Sequence, residues 1–132
     1  MAFTVAGFAG GLAALTITGV AEAHTEPPRV IARVPCSYPR LPDQDDSEIA
    51  AFNSTVGLRA ASIELVILVN PILQNTQSAN YSLTLDLIDA LHTALAAAAA
   101  TLQIDRWSIR GEWDTINSVP YWAIVATVDG SG

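Results

Sequence analysis

Cysteine, positive charge and recognisable catalytic motifs are all scarce in this chain of 132 residues. A lone cysteine, Cys36, excludes an intrachain disulfide, so the fold does not depend on an oxidising compartment. Six basic residues against thirteen acidic ones give a net charge of -7, which opposes general affinity for nucleic-acid phosphates. No Lys or Arg precedes Arg29, so residues 3 to 20 lack the positive start of an export signal, although Ala21-Glu22-Ala23 mimics a cleavage site. Gly7, Gly10, Gly11 and the β-branched Thr16-Ile17-Thr18 argue against a membrane span there. A buried N-terminal helix is the expectation for this segment, and no membrane partner is expected.

The search for chemistry is equally thin. His24 and His92 stand far apart and outside any metal-ligand spacing. Cys36 sits between Pro35 and Ser37, not at a helix N-terminus that would activate a thiol. Asp86 with Asp89, and Glu112 with Asp114, are paired carboxylates, for which solvated charge is the commoner explanation. The acidic run Asp43 to Glu48 lacks the glycine and distal glutamate of a calcium loop. Gly10-Gly11 lacks the lysine of a phosphate loop. The sequons at Asn53 and Asn80 carry no weight without an export signal. No catalytic residue, cofactor or metal is therefore expected, and the chain is read as a non-enzyme.

What is abundant is apolar surface and, locally, proline. Hydrophobic residues make up 51% of the chain, more than an ordinary soluble monomer of this size needs. Five of the seven prolines fall between Pro27 and Pro42. Proline fixes φ and drives the preceding residue out of the helical region, so 27–42 is expected to be an extended arm rather than a helix or a central strand. Val30, Ile31, Val34, Tyr38 and Leu41 give the arm apolar anchors.

Around it, Phe3, Phe8, Leu12 and Leu15 outline a helix over 3–15, and 16–24 has strand composition. Residues 50–69 read as one long strand, with Ile63, Leu65, Ile67 and Val69 on one face and Glu64, Val66 and Leu68 on the other. Two apolar faces mark a central strand covered on both sides. A polar loop over 74–80 leads to the clearest helix, 81–101, where Leu83, Leu87, Leu91 and Leu95 repeat every fourth residue behind Asn80 as N-cap. Strands over 102–113 and 119–128 close the chain as a hairpin linked by 114–118. The expected fold is a single α+β domain over 1–132, in which a mostly antiparallel sheet is packed by the long helix and the N-terminal helix, with the body at 50–128. Trp113, Tyr121 and Trp122 cluster in the terminal hairpin, where aromatic residues suit core packing or a subunit contact.

An N-terminal helix, the strand-like TITGVAEAHTEPP, VPCSYPRLP, a long apolar strand, the helix SLTLDLIDALHTALAAA and a closing hairpin ending YWAIVATVDG follow one another. That order resembles the small tail terminator proteins of long-tailed bacteriophages. The resemblance implies a structural virion protein, assembled in the host cytoplasm. It would form a homo-oligomeric ring, usually hexameric, at the head-proximal end of the tail tube. Such a ring stops tube polymerisation and joins tail to neck, so its partners are its own copies, the tube protein and a neck or connector protein. DNA passes the lumen without specific binding, which the negative charge would suit. Candidate intersubunit contacts are Val30, Ile31, Val34, Tyr38, Leu41, Trp113, Tyr121 and Trp122. Candidate lumen-facing acids are Asp43, Asp45, Asp46 and Glu48. The alternatives are another head–tail connector or neck ring protein, and a small secreted ligand-binding domain.

Overall fold

A computed structural model describes residues 3–42, 49–53, 59–71 and 77–132. Two helices pack on one face of a six-stranded mixed sheet. The elements are α1 (Val5–Ala13), β1 (Glu22–Ala23), β2 (Cys36–Arg40), β3 (Ala50–Phe52), β4 (Arg59–Pro71), α2 (Gln77–Leu102), β5 (Ile104–Ile116) and β6 (Val119–Ser131). The strand order is β1-β2-β4-β6-β5, and β3 also pairs with β4. Among the described strands, only β1 and β2 run parallel; every other pairing is antiparallel.

β4 occupies the centre, as its two apolar faces require. On the helix side, Ile63, Leu65, Ile67 and Val69 meet Phe8 and Leu12 of α1, Leu87, Leu91 and Leu95 of α2, and Ile124, Ala126 and Val128 of β6. On the other side, Val66 and Leu68 join Cys36, Tyr38, Tyr121, Ala123 and Val125, with Ile31 and Val34 laid against them. The period of two in the strands and of about four in the helix thus decides the two cores. Each buried leucine side chain contributes about 2 kcal/mol of transfer free energy.

Several boundaries differ from those read in the sequence, each for a local reason. Residues 50–69 are two strands, not one: Phe52 pairs with Arg59 and Ala50 with Ala61, so the chain reverses between β3 and β4. The turn formers Asn53, Ser54 and Gly57 fall in that interval. The strand composition of 16–24 yields only the two residues of β1, because Gly19 takes a φ of +95° and Val20 N–H closes a turn on the Ile17 carbonyl. α1 is shorter than 3–15, starting after Thr4, whose hydroxyl accepts from Gly7 N–H as an N-cap. α2 starts at Gln77, which places Asn80 inside the helix rather than at its N-cap; Gln and Ala are good helix formers despite the polar context. The residues 74–76 of the expected loop lie outside the described residues.

The closing hairpin is tighter than a 114–118 link. Ile116 pairs with Val119 across Asn117 and Ser118, whose φ values of 53° and 66° make a two-residue turn matched to strand twist. A register shift between Ile104 and Arg106 puts an extra residue in β5, so Ile104 and Trp107 both face the helices.

Within the proline-rich stretch, Cys36–Arg40 forms β2, and its prolines fit by orientation. The carbonyls of Pro35 and Ser37 accept from Ala21 and His24 N–H on the β1 side. Odd-numbered residues of β2 therefore face β1 and even-numbered ones face β4. Pro39 lacks a donor only on the side where β1 has already ended, so the ladder to β4 loses nothing.

Candidate functional site

Two features of the sheet stand apart from ordinary core packing. The first is an ion-paired cluster on the face away from the helices. β2, β4 and β5 each send charge to this face because Arg40, Glu64, Arg110, Glu112 and Asp114 occupy even-numbered positions on strands of matching phase. Glu64, 1% exposed, is held by both arginines: Arg40 Nε donates to Oε1 at 2.8 Å and Arg110 Nη2 to Oε2 at 2.7 Å. Arg40 also donates to Glu112 Oε1 and lies 3.6 Å from Asp114 Oδ2. Arg110 Nη1 reaches Thr127 Oγ1 at 2.9 Å, and its Nη2 lies 3.5 Å from Glu112 Oε2. Tyr38 OH donates to Asp114 Oδ2 at 2.9 Å.

Three acids and two arginines leave this cluster one unit negative, with each carboxylate engaged. Burial opposes the charge on Arg40, but hydrogen bonds to Glu64 and Glu112 outweigh it and hold the guanidinium pKa above its usual value. Burial, then the hydrogen bond to Asp114, pushes the Tyr38 phenol up. Cys36 is fully buried nearby, and burial followed by the Glu22 carboxylate pushes its thiol up to about 11. A thiol so placed is a packed apolar group rather than a nucleophile. Glu22 Oε1 is also 2.9 Å from His24 Nε2, without the geometry of a hydrogen bond. Among the described residues no group of three or more His, Cys, Asp or Glu side chains converges as metal ligands would.

The second feature is the open side of β5. This strand of thirteen residues pairs only with β6 among the described residues, and beyond Ile104 none of its residues is buried. Its helix-side face carries Trp107, Ile109, Gly111 and Trp113. Gly111 is required there: a Cβ would sit 2.5 Å from the Trp122 indole, which lies across the strand. Trp122 donates through Nε1 to Thr84 Oγ1 of α2 at 3.0 Å and meets Trp113 edge to face at 4.7 Å between ring centres. The His92 ring stands 5.5 Å from that of Trp107. His92 is exposed and off the leucine stripe, but it borders β5.

The candidate contact residues divide between inside and outside. Tyr38 and Tyr121 are buried in the smaller core, Ile31 and Val34 pack against it, and Trp122 is half-buried. Val30, Leu41 and Trp113 are exposed, at 66%, 57% and 64%. Asp43, Asp45, Asp46 and Glu48 lie outside the described residues. The arginine–carboxylate cluster escaped the sequence reading, although two signals pointed to it. Glu64 interrupts an apolar run, and Arg110, Glu112 and Asp114 alternate along one strand.

The segment Tyr81–Leu102 has the length and mean hydropathy, 1.4, to cross a bilayer; here its leucine face lies on the sheet. No protein-family model matches the chain, and no curated protein is significantly similar to it.

Proposed function

We propose that the chain is a structural protein that works as a homo-oligomeric ring, ending a phage tail tube on its head-proximal side and joining it to the neck. The observation that carries this reading is the placing of exposed apolar side chains at opposite edges of one sheet. Leu41, Ile49 and Phe52 stand at the β2–β3 edge, and Leu41 lines an open groove of about 390 Å³ with Ala9, Glu26, Pro27, Pro39, Arg40 and Ile63. Tyr81, Leu85 and Trp113 stand on the β5 side. Ring closure joins two different surfaces head to tail, and two apolar edges on one protomer supply them. The carboxylates of the sheet face are engaged by arginines rather than held free for acid–base work, which supports a role in assembly over one in catalysis. The ring partners would be the tube protein and a neck or connector protein, within the virion, with DNA passing through the lumen of an acidic protein. Another neck ring would use the same two edges and differ only in its position.

Electron microscopy of the chain in its native particle, or mixed with its own tube protein, tests this. The expected image is a ring closing the head-proximal end of the tube, lost in a Leu41→Asp variant that still folds. A chain that leaves tubes uncapped and binds no neck protein would exclude it.

A further inference from the structure

We infer that the free chain pairs with a second copy of itself through β5, edge to edge and antiparallel, about a twofold axis at Gly111. Backbone orientation sets the first condition. Ser131 N–H donates to the Gln103 carbonyl and Gly132 N–H to the Arg59 carbonyl, so odd-numbered residues of β6 face β5 and even-numbered ones face β4. Those odd residues pair with Arg106, Ser108, Arg110, Glu112, Asp114 and Ile116. The N–H and C=O groups of Trp107, Ile109, Gly111, Trp113 and Thr115 consequently point outward, unpaired within the described sheet. This is a row of the kind that templates another strand. A pair of odd-numbered residues facing each other across a dyad exchanges two hydrogen bonds, which only registers of odd against odd permit.

Charge then selects one register. With Gly111 opposite Gly111 of the second copy, Arg110 faces the other Glu112 and Glu112 the other Arg110. Sliding by one permitted step sets Arg110 against Arg110 between two Arg106–Asp114 pairs, and sliding the other way sets Glu112 against Glu112 between two Arg110–Asp114 pairs, so of the three only the Gly111 register has opposite charges paired with no like pair. Directly opposed like charges are destabilising, opposite ones favourable. In the selected register Ile109 faces Trp113 of the second copy, covering a side chain that is 64% exposed in the monomer. Arg110 and Glu112 already belong to the cluster around Glu64, so cross-strand pairing would join two such clusters into one network. The pairing closes at Thr115, whose N–H is held by its own Asp114 Oδ1 at 2.9 Å.

The helix above the edge fits the same axis. Tyr81, Leu85, Ile88 and His92 follow one another at spacings of four, three and four along α2, the spacing of a helix-packing seam. The His92–Trp107 contact places that seam on the β5 side. Tyr81 and Leu85 are 68% and 46% exposed. Across the dyad the two α2 helices run antiparallel with these seams turned to each other. The opposite edge of the sheet offers no comparable ladder, because β1 and β3 are two and three residues long and Pro39 removes a donor from β2. The inference does not rest on the ring reading; self-pairing occupies β5 in the free chain, and a ring would exchange it for the other edge.

Light scattering on the full chain at high micromolar concentration should give twice 13.9 kDa. Ile109→Pro removes an outward N–H together with a side chain packed on the main core, and should return the mass to that of the monomer. Circular dichroism of that variant should match the parent, and Trp113→Glu should act in the same direction. A nitroxide on Ser108→Cys reads the register. Ser108 faces Asp114 of the second copy, so the two labelled positions lie six residues apart, roughly 20 Å of backbone. The neighbouring registers give roughly 14 and 27 Å. A monomer under all conditions, a distance belonging to another register, or an oligomer indifferent to both Ile109→Pro and Trp113→Glu would overturn the dimer. Capping of tubes by the same samples reports separately on the ring.

Discussion

Glu64 is the residue on which most of the polar architecture turns. It stands in the middle of the central strand, between Ile63 and Leu65, and its burial is tolerable only because two guanidinium groups reach it from strands on either side. Removing it takes away the buried carboxylate that both guanidinium groups hydrogen-bond and leaves them to the more exposed Glu112 and Asp114. Loss of one partner from a buried pair costs about 3 kcal/mol or more. Glu64→Ala should therefore lower the unfolding free energy by that amount, read as a lower urea midpoint with an unchanged slope. Cys36 and Tyr38 make a second expectation at this scale. Both prefer their protonated forms in the fold, since burial raises both pKa values above the ordinary ones. Their contribution is complete below their ordinary pKa values and is lost as pH rises toward the folded ones. Stability should then fall between about pH 9 and pH 11, the window of the Cys36 shift. Cys36→Ala should flatten part of that fall, measured by chemical denaturation across the range.

Among the described elements, the β5–β6 hairpin joins a two-residue turn to the longest strand pairing. Asn117 and Ser118 both adopt positive φ, which Asn tolerates and Ser does not favour. Asn-Gly is the preferred pair for such a turn. Ser118→Gly should thus stabilise the protein by about 1 kcal/mol, raising Tm by about 3 °C in a scanning melt. A decrease would mean that the turn is held by contacts of the serine side chain. α2 shows how composition alone misleads. Its stretch 81–102 is apolar enough for a bilayer, yet Leu87, Leu91 and Leu95 form one buried stripe while Ala96, Ala97 and Ala100 are exposed.

For the whole molecule, the sheet is asymmetric between its edges. One side ends in short strands punctuated by proline, the other in a thirteen-residue strand whose outward backbone groups pair with no other strand among the described residues. That asymmetry gives the proposed ring two unlike surfaces and the proposed dimer one surface that matches itself. The two assemblies are separable because Leu41 belongs to one edge and Ile109 to the other. A Leu41→Asp chain that still dimerises but leaves tubes uncapped would assign each edge its role.

Local periodicity was enough to place the central strand, the long helix, the closing hairpin and both apolar faces of β4. Side-chain alternation follows from backbone geometry and needs no knowledge of what lies opposite. The reversal that separates β3 from β4, the pairing of β1 beside β2 and the bulge after Ile104 depend on which strands meet, and no short window records that. The same holds for the candidate surfaces. Trp113 and Trp122 were visible as interface-type residues, but only the fold exposes the first and lays the second over Gly111. Arg40, Glu64 and Arg110 stand far apart in the chain and become a cluster only when β2, β4 and β5 send their even-numbered side chains to one face. Charge partners are chosen by distance in space, and that distance is decided by the order of strands in the sheet.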